Sequence, residues 1–212
     1  MGYKFSDKSR RMQGWDYSGK GMYFITIVTQ NRECILGKIK DGKMFLSDFG
    51  EIVKEQFLMS FEIRKELFLD EYVIMPNHIH AIIVLKNRGD VGTHGPKNNV
   101  GTHGRASLLD NDHSSLPENY NESIQDKVAK SPMPQRKPRS ISSFVAGFKA
   151  GVNDAIDNFI DENKLNLPKF TRDNHFFQPN YNDHVIRDKE EYYKIKNYII
   201  TNPKKWNDDD LF

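Results

Sequence analysis

Two histidines separated by a single isoleucine, His78 and His80, begin the apolar run from Met75 to Leu85. The run is rich in β-branched residues, which predicts a strand. Side chains alternate between the two faces of a strand, so both imidazoles project from the same face. Their backbones are then about 7 Å apart, near enough for the rings to converge on one cation. Imidazoles buried beside isoleucines need hydrogen bonds or a metal ion, so the motif predicts either a metal site or a hydrogen-bonded pair of core histidines.

A polar stretch from Arg88 to Arg139 divides the chain. It contains the repeat Val-Gly-Thr-His-Gly, which begins at Val91 and again at Val100. A segment of this composition cannot bury enough apolar surface to offset the entropy of ordering it, so we predict a mobile, low-complexity linker over residues 88–139. Residues 1–87 and 140–212 are then two parts of one domain, which a chain of 212 residues is long enough to form.

Charge and cysteine content set outer limits on the function. The formal net charge of +2 is too small to indicate a nucleic-acid partner by itself, although it conceals local basic clusters. Cys34 is the only cysteine, which excludes an intramolecular disulfide and fits a reducing compartment. No apolar run approaches the length of a membrane span, and the first residues contain no signal-peptide core. We therefore expect a cytoplasmic protein that does not engage a membrane.

The first part of the domain has the alternation and the turn residues of a small sheet with one helix. Asp41-Gly42 is a hairpin-turn signal, because both residues tolerate positive φ. Ser47 or Asp48 can cap a helix with an apolar face. We predict a strand over Met22–Thr29, a hairpin of Ile35–Ile39 and Lys43–Leu46, a helix that buries Ile52, Val53, Phe57 and Phe61, and a strand over Leu67–Met75 that pairs antiparallel with the histidine strand, both strands being central.

Two helices are predicted in the second part of the domain. Ser140 can cap a helix that continues through Phe159 and carries one apolar stripe. Asp188, with Glu191 three residues later, starts a second helix that ends at Asn202, because the residue before a proline avoids the helical conformation. We predict an α+β fold with a central antiparallel sheet, helices packed on one face, and a ferredoxin-like or RRM-like layout.

Tyr198 and Asn202 lie one turn apart on the last helix, in line with Ile195 along the border of its buried stripe. Such a border suits a reactive side chain, because it lies between the buried face of the helix and the face exposed to solvent. A tyrosine at the edge of a stripe also occurs with its ring packed and its hydroxyl in water. The spacing alone leaves both interpretations open.

Six segments follow the pattern of one protein family in order along the chain. They are Asp16–Ser18, Tyr23–Thr26, Thr29–Arg32, Val73–His80, Gln178–Arg187 and Tyr198–Pro203. On these segments the sequence resembles the single-tyrosine HUH transposases, in particular the REP-associated tyrosine transposases and their small insertion-sequence relatives. The resemblance covers nearly the whole chain outside the linker. Phe177 departs from the tryptophan that usually precedes the glutamine, and the linker is longer than in compact members of the family.

The resemblance implies a DNA transposase with an HUH domain. His78 and His80 correspond to the metal-binding histidines, Asn202 to the third protein ligand and Tyr198 to the catalytic nucleophile. The family's usual metals are magnesium and manganese, which two neutral imidazoles and an amide also suit, although imidazole accepts zinc as well. The implied reaction is cleavage and rejoining of single-stranded, hairpin-forming DNA through a 5′-phosphotyrosine intermediate. Relatives differ in whether two chains share a site, so a homodimer is among the expected states.

Several basic and aromatic residues, three of them within the segment Gln178–Arg187 and the others outside the six segments, are candidates for contact with DNA. Each of them has a structural explanation as well, as an ion-pair or packing residue. They are Arg136, Lys137, Arg139, Lys149, Tyr181, His184 and Arg187, and the rings of Phe176, Phe177 and Trp206 are further candidates for stacking on unpaired bases.

Two other functions fit the same sequence. In the first, the chain is a non-catalytic nucleic-acid-binding module in which Tyr198 only packs, and a domesticated, inactive transposase is its natural form. In the second, the chain is a metal-dependent nuclease that uses activated water, and the tyrosine is incidental.

Overall fold

The computed structural model describes residues 16–86, 139–171, 173–208 and 211. Most of the predicted linker lies outside these residues, together with Arg136 and Lys137, so the proposed division of the domain stays a prediction. Two short 3₁₀ segments accompany nine regular elements. The elements are β1 (Gly21–Val28), β2 (Gly37–Lys40), β3 (Lys43–Leu46), α1 (Asp48–Ile63), β4 (Leu67–Met75), β5 (His78–Leu85), α2 (Ile141–Glu162), β6 (Asn182–Ile186) and α3 (Lys189–Thr201), and the 3₁₀ segments are Gln30–Arg32 and Asn202–Asp208.

Four strands form one antiparallel sheet in the order β4-β5-β1-β6. With α1 between β1 and β4 and α2 between β5 and β6, this is the βαββαβ arrangement of ferredoxin-like domains, so the predicted α+β class and layout are confirmed. β5, which carries both histidines, is central as predicted. The prediction that β4 is also central is wrong, because β4 lies at the sheet edge. Asp70 and Glu71 in its middle fit that position, since charges on an edge strand discourage further pairing.

Different helices cover the two faces of the sheet. On one face, Ile25 and alternate residues of the neighbouring strands pack in one core with α1 and α2. On the other face, Phe24 and Ile82 pack against Ile195 and Ile199 of α3. The prediction that all helices pack on one face is wrong for α3, because an apolar stripe shows that a helix is buried without showing which face of the sheet it covers.

β6 is a strand that the sequence analysis did not predict. Its residues, Asn-Asp-His-Val-Ile from Asn182 to Ile186, contain only two apolar side chains, so no clear alternation is visible. Pairing with β1, from Met22 opposite Ile186 to Thr26 opposite Asn182, holds the segment in the sheet.

The predicted hairpin is present as a separate two-stranded ribbon of β2 and β3. Asp41 (φ 52°) and Gly42 (φ 69°) both have positive φ, the conformation for which Asp-Gly turns are favoured.

The predicted helix caps are confirmed, and the end of α3 differs from expectation. Ser47, Ser140 and Asp188 each accept a hydrogen bond from a backbone NH of the first turn of α1, α2 and α3. Asn202 follows the last residue of α3 as predicted, yet it is helical (φ −54°, ψ −45°) in spite of Pro203, because a 3₁₀ segment continues from it.

Within the described ranges, no helix is both long and apolar enough to span a membrane.

Candidate active site

β5 presents both histidines on the sheet face that α3 covers. His78 and His80 have no exposed surface, and their ring centroids are 4.3 Å apart. Ile79 and Ala81 point into the opposite core, as period-two alternation requires. The two imidazoles therefore lie side by side on one face, which is the arrangement that the sequence predicts.

Asn77 determines the tautomer of His78. The Nδ2 of Asn77 donates to the carbonyl of Arg32 at 3.2 Å and to that of Leu211 at 2.6 Å, which turns its Oδ1 toward the histidine. This oxygen lies 2.7 Å from His78 Nδ1 and can only accept, so Nδ1 carries the proton. The Nε2 of His78 then has a lone pair, and this buried atom has no hydrogen-bond partner among the described residues.

His80 connects the sheet to α3. Its Nδ1 lies 2.8 Å from Thr26 Oγ1, and its Nε2 lies 3.1 Å from the hydroxyl of Tyr198. Both partners are hydroxyls, so either tautomer of His80 satisfies both contacts. Phe24 packs 5.2 Å from the His80 ring and meets the Tyr198 ring edge-on at 6.2 Å, which restricts the half-buried tyrosine. The candidate nucleophile and a candidate metal ligand are thus in contact within one chain.

Asn202 lies between two contacts with the histidine pair. Tyr198, one turn earlier, reaches His80, and Trp206, four residues later, packs its ring 6.0 Å from His78. Asn202 itself is only 1% exposed. The contacts of Tyr198 and Trp206, on either side of Asn202 in the chain, therefore bring the third predicted ligand into the same buried region as the histidines.

The histidine pair is suited to a divalent cation. Burial lowers the pKa of His78 from 6.5 to about 3, because loss of water destabilises the charged ring. A neutral imidazole is the form that binds metal ions, and a cation would satisfy the Nε2 lone pair that lacks a partner. In the part of the chain that the structure describes, no three His, Cys, Asp or Glu side chains gather as a metal site. A metal here would therefore depend on an amide oxygen, that of Asn202, as the third protein ligand.

Two of the predicted DNA-binding residues have structural contacts around the segment before β6. The Nζ of Lys149 donates to the carbonyls of Gln178, Pro179 and Asn180, at 2.5, 3.3 and 3.3 Å. The hydroxyl of Tyr181 lies 3.2 Å from Ser142 Oγ on α2. These contacts hold the segment against α2, and a role in binding DNA stays a prediction for both residues.

His184 and Arg187 share one carboxylate on α3. His184 Nε2 lies 2.6 Å from Glu191 Oε1, and the backbone NH of Arg187 donates to Glu191 Oε2 at 2.9 Å. Glu191 thereby connects β6 to the first turn of α3.

Arg139 is exposed. Contact with DNA stays a prediction for Arg139, His184 and Arg187.

Three residues of the site were not assigned to it from the sequence: Thr26, Asn77 and Trp206. Thr26 is a buried polar residue in an otherwise apolar strand, a pattern that indicates a buried hydrogen-bond partner. Asn77 was covered only as part of the segment Val73–His80, without a role of its own, although it directly precedes His78. No sequence signal links Trp206 to the histidines, because the contact depends on how α3 continues into the 3₁₀ segment.

Comparison with known proteins agrees with this architecture. No protein-family model matches the chain. An uncharacterized protein of Haemophilus influenzae is 30% identical over 206 residues, which cover 97% of this chain and 92% of that protein. Among solved structures, a REP-associated tyrosine transposase bound to a REP hairpin has a TM-score of 0.50 and 16% identity, over 92% of this chain and 74% of that one. The chain therefore belongs to one family with the Haemophilus influenzae protein and has the fold of a REP-associated tyrosine transposase.

Proposed function

We propose that the chain is a single-tyrosine transposase that cleaves and rejoins single-stranded, hairpin-forming DNA, with Tyr198 as the nucleophile. The observation that carries this proposal is the 3.1 Å contact between the Tyr198 hydroxyl and His80 Nε2, beside the buried lone pair of His78. The fold gives further support, because the solved transposase that shares it was bound to a REP hairpin.

His78, His80 and Asn202 would hold the metal ion, which is magnesium or manganese in this proposal. When bound, the ion supplies positive charge that polarises the scissile phosphate and stabilises both the phenolate and the departing 3′ oxygen. Two neutral imidazoles and an amide bring no negative charge to the site. The protein ligands would therefore not neutralise the charge of the ion, which would remain available to attract the phosphate of the substrate.

Tyr198 requires activation, because a phenol with a pKa near 10 is a weak nucleophile at neutral pH. Its contact with His80 and the edge of Phe24 place the hydroxyl at the histidine pair. His80 Nε2 could not coordinate the ion and keep this hydrogen bond at once, so the contact describes where the hydroxyl lies before the ion binds. In the proposed reaction the phenolic oxygen loses its proton and bonds to phosphorus, while the bond from phosphorus to the 3′ oxygen breaks and that oxygen takes up a proton. The resulting 5′-phosphotyrosine is itself a phosphate ester and conserves the energy of the bond that was broken. Another 3′ hydroxyl can therefore attack it and rejoin the strands without ATP.

The test is to incubate the full chain with end-labelled, single-stranded hairpin DNA and manganese and to separate the products on a denaturing gel. We expect a covalent protein–DNA adduct from the wild type and neither adduct nor cleavage from Tyr198→Phe. His78→Ala is also expected to lose cleavage. Tyr193→Phe is the matched control, because Tyr193 lies on the same helix and is 65% exposed, so this variant should retain the adduct.

Two outcomes would replace the proposal with another function. Cleavage that persists in Tyr198→Phe without an adduct would identify a nuclease that uses activated water. Binding of the hairpin by the wild type, with no cleavage at any manganese concentration, would identify a non-catalytic binding module.

A further inference from the structure

The exposed face of the β2–β3 ribbon has an unusual composition. Lys38 lies opposite Phe45 and Lys40 lies opposite Lys43, and directly opposed residues share one face of a ribbon. All four side chains are exposed, Phe45 to 50%. The other face contains Met44, which packs against the core. We call these four residues, Lys38, Lys40, Lys43 and Phe45, the ribbon face.

The positive charges of the ribbon face are not paired with carboxylates in the part of the chain that the structure describes. Within residues 16–86, 139–171 and 173–208, none of its three lysines forms a salt bridge. Lys40 and Lys43 are directly opposed, and like charges in that position destabilise a ribbon. Three lysines around one exposed aromatic ring match a single-stranded nucleic acid, whose phosphates need cations and whose unpaired bases stack on aromatic rings.

The turn of the ribbon is close to the candidate active site. A side-chain carbon placed on Gly42, in the ribbon turn, would lie 3.3 Å from Cγ of Lys204. A cavity of about 190 Å³ lies between the turn and residues 203–207, and Trp206 is part of its lining. The ring of Trp206 is 6.0 Å from that of His78. The turn that follows Lys40 and precedes Lys43 is thus next to Lys204, which is also exposed, and to the segment that carries Trp206.

We propose that the ribbon face binds single-stranded DNA next to the cleavage site, with its lysines on backbone phosphates and Phe45 stacked on a base. This inference rests on the proposed function, because it describes how the substrate of that reaction is held. The ribbon is not among the residues that the sequence analysis selected for DNA binding.

The first test measures binding by fluorescence anisotropy with a labelled single-stranded oligonucleotide of about 20 nucleotides. The full chain with Tyr198→Phe is used so that bound DNA stays intact. Lys40→Gln/Lys43→Gln is expected to weaken binding and to reduce the slope of log K against log salt by about 1.4, since each phosphate contact on a single strand contributes about 0.7. The control Lys65→Gln/Lys164→Gln removes two exposed lysines elsewhere and should leave the slope unchanged. Equal slopes in the two double variants would overturn the proposal.

The aromatic contact has its own pair of variants. Phe45→Ala is expected to weaken single-strand binding about tenfold, and Phe45→Tyr to restore it, because both rings stack on bases. Equal binding by Phe45→Ala and Phe45→Tyr would remove Phe45 from the interface. An unchanged DNA affinity together with a changed oligomeric mass in Lys40→Gln/Lys43→Gln would assign the ribbon face to a second copy of the chain and overturn the proposal.

Adduct formation with Tyr198 intact separates this inference from the proposed function. The ribbon variants are expected to raise the DNA concentration at half-maximal adduct formation and to leave the limiting rate unchanged. If the wild type forms no adduct but the difference in salt slope stands, the proposed reaction fails and the ribbon face remains a DNA-binding surface. If the adduct forms and the two double variants have equal salt slopes, the proposed reaction stands and only the assignment of the ribbon face to DNA binding is wrong.

Discussion

A single asparagine controls which nitrogen of His78 is available. The Nδ2 of Asn77 is committed to two backbone carbonyls, so its Oδ1 is left to receive the proton of His78 Nδ1. Groups that orient a metal-binding histidine in this way typically contribute 10–100-fold to metal affinity. Asn77 therefore has a role in the site that is separate from its position in the turn between β4 and β5.

We predict that Asn77→Ala weakens manganese binding by about 10–100-fold, because His78 is then no longer held in the Nδ1-protonated form. Isothermal titration calorimetry with the DNA-free protein measures the effect. Asn197→Ala, on the exposed side of α3, is the control and should bind manganese as the wild type does. Equal affinities in the two variants would show that Asn77 does not orient the histidine.

The burial of His78 also predicts how the metal-free protein responds to acid. In the unfolded chain His78 takes up a proton near pH 6.5, whereas burial holds the pKa of the folded state at about 3. Below pH 6.5 the unfolded chain therefore binds one more proton than the folded chain, and the free energy of unfolding falls by about 1.4 kcal/mol per pH unit until pH approaches the folded pKa. From pH 7.5 to pH 5 this single group lowers the free energy of unfolding by about 2 kcal/mol.

The matched comparison is urea unfolding of the wild type and of His78→Gln, with a chelator present, at several values of pH. The variant keeps every other titrating group, so the wild type should lose about 2 kcal/mol more than the variant over that interval. Parallel pH dependences would mean that His78 is protonated, or exposed, in the folded protein.

At the scale of elements, the position of α3 depends on an irregularity in β4. A bulge between Leu69 and Glu71 leaves Asp70 outside the pairing with β5. The carboxylate of Asp70 accepts hydrogen bonds from Tyr192, at 2.9 Å, and from Lys196, at 3.3 Å. Hydrogen bonds to Tyr192 and Asp70 raise the pKa of the Lys196 ammonium, so Lys196 keeps its proton at neutral pH. Because α3 also carries Tyr198, this cluster fixes the helix that holds the proposed nucleophile.

We predict that Asp70→Ala slows single-turnover adduct formation about tenfold, because a small shift of α3 moves the Tyr198 hydroxyl away from His80. The affinity for single-stranded DNA should not change, which separates positioning from binding. Asp154→Ala, at an exposed position of α2, is the control. An unchanged single-turnover rate would show that the Asp70 cluster does not position the nucleophile.

The ribbon yields a prediction about stability that is independent of any reaction. Lys43→Glu replaces an opposed like-charge pair with an opposite-charge pair, so the thermal midpoint should rise by about 1–2 °C at low salt. Lys65→Glu, which has no cross-strand partner, is not expected to raise it. Differential scanning calorimetry at low and high salt makes the comparison, and a lower midpoint for Lys43→Glu would show that Lys40 and Lys43 do not repel each other in the folded ribbon.

The elements that the sequence predicts well are those with a complete local signal. β5, the Asp-Gly ribbon turn and the three helix caps each depend on residues within a few positions of one another. β6 was not predicted because its place depends on pairing with β1, far away in the chain. The edge position of β4 and the face covered by α3 are likewise set by tertiary packing, which no local periodicity records.

At the scale of the whole molecule, the candidate site joins both parts of the sequence. The histidines come from residues 16–86 and the tyrosine from residues 139–208, and these ranges belong to one compact unit. His78, His80 and Tyr198 were selected as candidates from alternation, helical spacing and a family resemblance. It did not show that Tyr198 reaches His80 within the same chain, because that contact is defined only when α3 packs on the sheet.

The contact within one chain predicts the result of mixing two inactive variants. His78→Ala supplies a chain with an intact tyrosine, and Tyr198→Phe supplies a chain with intact histidines. If each chain completes its own site, as the contact between Tyr198 and His80 indicates, the mixture should form no more adduct than either variant alone.

If two chains instead exchanged their tyrosines, half of the dimers would pair one variant with the other. One of the two sites in each such dimer would be intact, and the mixture would recover about a quarter of the wild-type adduct. Denaturing and refolding the two variants together before the assay ensures that chains have exchanged. Recovery near a quarter would show that Tyr198 acts on the histidines of a partner, whereas failure to recover, with each variant still binding DNA, agrees with a site completed inside one chain.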